Sequence, residues 1–230
     1  MKDWFAGEIA ERYDESTAGK PVEPVVDFLL PFASGGALEL AIGTGRIAVP
    51  LAARGVRVAG IDFSPDMVGQ LQAKTDSIPV AIGGMETTRV EGTFSLVYVV
   101  LNSINNVTTL DGQVATFANA AAHLEPGGRF VVEVGVPNTA RLEVFDLSDT
   151  HVGIDEYEPG TQRFVSHHFS LVDGVWVRNS VPFRSVSPGE FDLMARLAGM
   201  ELRERWADWD RSPFTAESKK HVSVWEKASG

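Results

Sequence analysis

The stretch "LELAIGTGRIAVPLAARGVRVAGIDFSPDM", residues 38 to 67, decides the fold. The apolar run over residues 37–42 predicts a buried strand, and residues 46–54 predict a helix that ends at Gly55. A second apolar run over residues 56–61 predicts the next strand. A strand, a helix and a strand in this order form a βαβ unit, in which the two strands run parallel.

The rest of the chain repeats this alternation. Ser64 followed by Pro65 indicates the start of another helix, because serine caps helices and proline suits their first position. The pattern predicts an α/β fold with a Rossmann-like, doubly wound, seven-stranded sheet that is mostly parallel with an antiparallel last strand. Further strands are predicted at residues 79–84, 94–100, 129–134, 200–206 and 221–227, and helices at 3–14, 22–32, 110–124 and 188–198.

The alternation of strands and helices stops after Val136. Residues 137–160 are rich in Pro, Asp, Glu and Gly, and the following residues alternate in polarity around Asp173-Gly174, a pair that suits the tight turn of a β-hairpin. We therefore expect an inserted antiparallel hairpin or sheet. The predicted parts are N-terminal helices covering the cofactor pocket (1–34), a core (35–136 and 187–230) and an inserted antiparallel lid (137–186).

Composition limits the classes of function. The chain has 230 residues, no cysteine and a net charge of −11, so disulfides, thiolate catalysis and Cys-zinc sites are excluded, and no metal site is predicted. The acidity disfavours nucleic-acid partners, which basic surfaces bind. No apolar run approaches the roughly 20 residues that a membrane span needs, and the N-terminal stretch lacks the features of an export signal. The expected location is the cytoplasm.

The glycine turn after the first strand suits two cofactors. Gly43, Gly45 and Ala48, with Asp62 nineteen residues after Gly43, satisfy the dinucleotide fingerprint, so NAD is one candidate. The same turn and acid also suit S-adenosylmethionine, which has adenosine but no pyrophosphate. Glu39 lies four positions before Gly43, where its carboxylate would repel a pyrophosphate and attract an ammonium or sulfonium group. The chemistry of Glu39 favours S-adenosylmethionine.

The same residues resemble a known family, the class I S-adenosylmethionine-dependent methyltransferases, whose first motif runs acid-x-Gly/Ala-x-Gly-x-Gly. Glu39, Ala41, Gly43 and Gly45 match this motif, and the resemblance covers roughly residues 35–135. Within the family the chain looks most like small-molecule enzymes, including sugar N,N-dimethyltransferases. The resemblance implies methyl transfer to a nitrogen or oxygen of a small molecule.

The resemblance also implies which residues bind the cofactor. One departure from the family is that Gly84 stands where an Asp usually accepts a hydrogen bond from the adenine amino group. Adenine recognition is then expected to use backbone groups near Gly84 and Met85. The implied cofactor-binding residues are Tyr13, Glu39, Ala41, Gly43, Gly45, Arg46, Asp62, Phe63, Met67, Gly84, Met85, Leu101 and Asn102.

Three residues are candidates for catalysis. By resemblance, Tyr13 closes the cofactor pocket, and Asn102 and Ser103 lie beside the methyl donor, although each is equally consistent with ordinary helix packing or a polar loop. His167 and His168 are neighbours in a strand and point to opposite faces, so at most one faces a pocket. His168 is the candidate general base. A base is optional, because methyl transfer to a neutral amine needs only alignment.

Two other functions and one assembly stay open on the sequence alone. The glycine pattern allows an NAD-dependent oxidoreductase, and Gly84 together with the lack of an obvious base allows a non-catalytic S-adenosylmethionine-binding module. Exposed tryptophans could form the surface of a homodimer.

Overall fold

The computed structural model describes residues 3–138 and 140–229; Met1, Lys2, Thr139 and Gly230, which belong to the predicted segments, lie outside the described residues. Two sheets form the framework, and helices pack on the larger one. The helices are α1 (Glu8–Thr17), α2 (Glu23–Leu29), α3 (Ala48–Ala53), α4 (Pro65–Lys74), α5 (Leu110–His123) and α6 (Pro188–Leu197). The strands are β1 (Ala37–Leu40), β2 (Val58–Asp62), β3 (Val80–Ile82), β4 (Phe94–Val99), β5 (Leu124–Gly135), β6 (Leu142–Leu147), β7 (His151–Glu158), β8 (Arg163–Val172), β9 (Val175–Arg184), β10 (Met200–Trp206) and β11 (Lys220–Lys227).

The large sheet has seven strands in the order β3-β2-β1-β4-β5-β11-β10. The pairs among β1 to β5 are parallel, and β11 runs antiparallel to both β5 and β10. The strand order reverses between β1 and β4, and in such sheets ligands bind beyond the carboxyl ends of the strands at this reversal. The predicted fold class is confirmed.

The central strands are apolar because both of their faces are covered. Every residue of β1 and of β4 is buried. On one face Phe117 of α5 packs edge-on against Phe130 of β5 and Trp225 of β11, at ring-centre distances of 5.0 and 5.4 Å. Parallel strands that are covered by helices on both faces have continuous apolar sequences, which is why these strands could be predicted from the sequence.

The small sheet is antiparallel, in the order β6-β7-β8-β9. Asp173 and Gly174 join β8 to β9 with φ of 49° and 78°, as a type I′ turn requires. The inserted sheet was therefore predicted, but β6 and β7 were not. The acidic residues of these two strands and the single glycine of β7 interrupt the alternation of polar and apolar residues. Most of β6 is exposed on both faces, so burial imposes no alternation there.

Several predicted boundaries were wrong by a few residues. The first helix begins at Glu8 and leaves residues 3–7 outside it, and α3 begins at Ala48, so Arg46 stays in the loop. Ser64 does cap α4, because its side chain accepts a hydrogen bond from the Met67 amide at 3.3 Å. In the described ranges no helix combines the length and apolar character needed to cross a bilayer.

Gly45 is the glycine whose replacement should cost most at the turn after β1. Its φ is +79°, and an added Cβ would overlap Leu71 Cδ1 of α4, whereas Gly55 has a φ of +87° with open space around it. We expect Gly55→Ala to lower the free energy of unfolding by about 1 kcal/mol. Gly45→Ala should lose a further ~1–3 kcal/mol from the overlap. Urea unfolding of both variants checks this; equal losses would contradict it.

Candidate cofactor and acceptor site

One cavity opens at the carboxyl ends of β1 to β4, where the strand order reverses. The loops that follow these strands form its floor. Part of the wall comes from the chain before and within α1, and Pro182 of β9 adds a contact from the small sheet. The cavity brings together most of the predicted site residues: Tyr13, Glu39, Ala41, Gly43, Arg46, Asp62, Phe63, Met67, Gly84, Met85 and Leu101.

Glu39 is a buried carboxyl at the base of this cavity. It is 3% exposed, and the hydroxyl of Tyr98 on β4 donates a hydrogen bond to its Oε2 at 2.9 Å. Burial raises the pKa of Glu39 to about 8, although the bond from Tyr98 and the charge of Arg46 act in the opposite direction. A cation bound next to Glu39 would favour its charged form.

Asp62 connects the loops that follow β1 and β2. Its Oδ2 accepts a hydrogen bond from the Gly43 amide at 2.7 Å, and its Oδ1 accepts one from the Ser64 amide at 2.8 Å. Burial raises the pKa of Asp62, and these amide bonds lower it. Each carboxylate oxygen has a second lone pair, so Asp62 can still accept bonds from two hydroxyl groups of a ligand.

The N-terminal helix is fastened over the glycine turn. Asp14 accepts a hydrogen bond from the Thr44 hydroxyl at 2.6 Å and forms an ion pair with Lys74 at 2.5 Å. Lys74 also donates to the Thr44 carbonyl at 2.8 Å. These contacts place Tyr13 against the cavity, where burial raises the pKa of its hydroxyl.

The loop after β4 does not present Asn102 as predicted. The Asn102 side chain accepts a hydrogen bond from the Gly135 amide at 2.6 Å, and it does not line the cavity. Leu101 and Asn102 have positive φ of 53° and 59°, and the Leu101 amide donates to Glu133 Oε2 at 2.8 Å. Asn102 therefore braces the loop against β5, while its neighbours Leu101 and Ser103 face the cavity.

His168 is also placed away from the cavity. Its Nδ1 lies 3.1 Å from His151 Nε2, and its Nε2 lies 3.3 Å from the Ser166 hydroxyl. His151 in turn lies 2.6 Å from Asp146. Burial lowers the pKa of His168, and the neighbouring His151 lowers it further. His168 thus belongs to a polar network of the small sheet and does not line the cavity.

Gly45 does not line the cavity. A Cβ at this position would point toward Leu71 of α4 and not toward the cavity. Arg46 lines the cavity, and its guanidinium donates to the Pro21 carbonyl at 2.8 Å. This bond ties the loop after β1 to the segment between α1 and α2.

Sequence reasoning missed several cavity residues. One of them, Thr108, follows β4, and a group of three precedes α1. Glu86, two positions after Gly84, could have been found by looking for a displaced acid once Gly84 was noted. The remaining residues had no local signal, since only the folded chain brings them to the cavity. The missed residues include Asp3, Trp4, Phe5, Glu86, Thr108 and Pro182.

The cavity has an excess of acidic groups over basic ones. Four carboxyl groups line it, and Arg46 is the one Lys or Arg side chain among the described lining residues. A pyrophosphate would be repelled here, whereas an ammonium, a sulfonium and hydroxyl donors match these groups. The donor set therefore fits S-adenosylmethionine. The four carboxyl groups belong to Asp3, Glu39, Asp62 and Glu86.

Comparison with known proteins identifies the family. Residues 37–128 match the family described as methyltransferase domain. The structure of the CcbJ methyltransferase from Streptomyces caelestis is 33% identical to this chain, with a TM-score of 0.88, and the match covers 99% of this chain and 100% of that one. The chain belongs to the S-adenosylmethionine-dependent methyltransferases. This assignment replaces the alternatives of an NAD-dependent oxidoreductase and a non-catalytic binding module.

Two curated relatives from Streptomyces are also similar to this methyltransferase. The cypemycin N-terminal methyltransferase of a Streptomyces species is 25% identical over 202 residues, which cover 83% of this chain and 82% of the relative. The dTDP-3-amino-3,4,6-trideoxy-alpha-D-glucopyranose N,N-dimethyltransferase of Streptomyces venezuelae is 30% identical over 156 residues, covering 66% of this chain and 62% of the relative. The aligned part is thus less than two thirds of the second relative.

The buried carboxyl of Glu39 should make stability depend on pH. Its pKa in the folded protein is raised to about 8, so between the ordinary glutamate range and pH 8 the folded chain holds a proton that the unfolded chain releases. Stability then falls as pH rises, by at most about 1.4 kcal/mol per pH unit. We expect Glu39→Gln to remove this slope, measured by urea unfolding between pH 5 and 8 without cofactor. The exposed Glu11→Gln is the control, and parallel curves for all three proteins would contradict the raised pKa.

Asp62→Ala should weaken binding of S-adenosylhomocysteine by about tenfold or more, because it removes a hydroxyl acceptor and leaves the amides of Gly43 and Ser64 unpaired. Calorimetric titration measures the affinity, and thermal unfolding shows whether the variant is folded at the assay temperature. Asp76→Ala, at an exposed turn, is the control. Unchanged affinity in folded Asp62→Ala would contradict a ribose-binding role.

Proposed function

We propose that the enzyme transfers the methyl group of S-adenosylmethionine to the nitrogen of a small, hydroxylated amine. The observation that carries this proposal is the excess of acidic groups in the cavity: even with Glu39 protonated, three other carboxyl groups line it together with a single guanidinium. Such a cavity attracts cations, so it favours an amine over a carboxylate or phosphate as the acceptor. S-adenosylmethionine supplies an electrophilic methyl group when it is bound.

The proposed cofactor contacts follow the order of the strands. Glu39 and the turn at Gly43 would hold the methionine part, and Asp62 would hold the ribose hydroxyls. Adenine would then lie toward the loop after β3, beside Met85. The cover would come from the N-terminal segment and from the small sheet, whose Pro182 lines the cavity.

The proposed acceptor side is the region after β4. Ser103, Asn106 and Thr108 line the cavity there with neutral hydroxyl and amide groups. Such groups both donate and accept hydrogen bonds, as the hydroxyls of a sugar require. The apolar rings of Trp4 and Phe5, which also line the cavity, would exclude water from the transfer.

Nitrogen is favoured over oxygen because a neutral amine requires no general base. No histidine or lysine is found among the described residues that line the cavity. A neutral amine attacks without one, whereas an alcohol needs its proton removed. The names of the two relatives point in the same direction, one to methylation at an N-terminus and the other to N,N-dimethylation of an amino sugar. The shared feature is the amine, and we extend it to this enzyme.

A paired-substrate assay tests the proposal. The purified enzyme is incubated with S-adenosylmethionine and a nucleotide-linked amino sugar, or with the same sugar carrying a hydroxyl in place of the amine. We expect S-adenosylhomocysteine and a methylated product, seen by mass spectrometry, with the amine alone. The rate should rise with pH as the amine loses its proton. Methylation of the hydroxyl compound and not of the amine would contradict the proposal.

A further inference from the structure

We propose that Glu86 recognises the 6-amino group of the cofactor's adenine, from the space that a side chain at position 84 would otherwise fill. The inference concerns the cofactor, and it does not depend on which acceptor is methylated. Its failure would therefore leave the proposed acceptor untouched.

The first observation is the position of the Glu86 carboxylate over Gly84. A Cβ added to Gly84 would lie 2.5 Å from Glu86 Oε2 and 2.7 Å from Oε1. The backbone of Gly84 is not in the left-handed region, so its conformation does not require glycine. The missing side chain at position 84 thus leaves the room that Glu86 uses.

The second observation is that the carboxylate is available. Glu86 lines the cavity, and across residues 3–138 and 140–229 its carboxylate has no hydrogen bond or ion pair. The backbone carbonyls nearby are already in use: that of Gly84 accepts from the Thr88 amide at 2.9 Å, and that of Met85 accepts from Asn119 Nδ2 at 2.8 Å. We therefore extend the expected recognition of adenine by backbone groups near Gly84 and Met85 to the side chain of Glu86.

The third observation is the order of the acids along the sheet. Glu39, Asp62 and Glu86 lie on β1, at the end of β2 and after β3, which are neighbouring strands. The Gly83 amide donates to the Asp62 carbonyl at 2.8 Å, and this bond joins the loop after β3 to the end of β2. The cofactor has its donors in the same order: an ammonium, two ribose hydroxyls and the 6-amino group. The 6-amino group is the donor left for Glu86.

The loop that carries Glu86 is held in place by α5. Asn119 Nδ2 donates to the carbonyls of Met85 and Thr88 at 2.8 and 2.9 Å, and His123 Nε2 accepts from the Val90 amide at 3.1 Å. A carboxylate on a fixed loop can discriminate a donor from an acceptor at the same place.

The test compares two ligands by calorimetric titration. S-adenosylhomocysteine carries the 6-amino group, and S-inosylhomocysteine carries an oxygen in its place. We expect the natural protein to bind S-adenosylhomocysteine at least about tenfold more tightly. Glu86→Ala should bind S-adenosylhomocysteine about tenfold more weakly and S-inosylhomocysteine no more weakly than before. Glu86→Gln should lose the discrimination, because its amide can donate to the oxygen.

A second variant separates recognition from a merely structural role. In Gly84→Asp/Glu86→Ala the acid returns to position 84, where the shortened residue 86 leaves room, and the preference for the 6-amino ligand should be restored. Glu91→Gln, an exposed change on the same connection, should leave both affinities unchanged. An equal loss for both ligands in Glu86→Ala, or no loss for either, would overturn the proposal, as would a double variant that binds both ligands alike.

Discussion

The hydrogen bonds from the amides of Gly43 and Ser64 to the carboxylate of Asp62 hold together the part of the chain on which the site depends. They fix the turn after β1 and the cap of α4 to one side chain at the end of β2. Without this shared acceptor, the amides of Gly43 and Ser64 would each need another hydrogen-bond partner at a buried edge of the sheet. Asp62 therefore has a structural role in the fold, and the ribose-binding role proposed for it needs the same carboxylate.

A second constraint is the burial of acidic side chains. Glu39 and Asp62 both have raised pKa values because they are buried, and Arg46, the one cationic lining residue among those described, lowers that of Glu39. Buried carboxylates with few partners destabilise the folded chain. A ligand that carries an ammonium, a sulfonium and hydroxyl donors would offset part of this cost. The cavity thus retains buried acidic groups that destabilise the folded chain, and binding of a cationic cofactor would offset part of this destabilisation.

The sequence predicted the elements whose physical reason is local. The strand-turn-helix-strand unit is encoded by apolar runs and by Gly43, and the hairpin turn by Asp173-Gly174, because each depends on neighbouring residues alone. The side chain of Asn102 and the partners of His168 depend on contacts with distant strands, Gly135 and His151, which no local pattern specifies. The edge strand β6 was missed because it is exposed on both faces and has no clear period.

The departure at Gly84 is informative for the same reason. When position 84 is considered alone, a glycine in place of an acid suggests weaker binding of adenine. In the folded loop, the carboxylate two residues later occupies the vacated space, and Asn119 of α5 fixes the backbone that carries it. A ligand contact is defined by where a functional group lies and not by which residue number supplies it. A short loop anchored to a helix can supply the group from either position, provided that the other position is small enough.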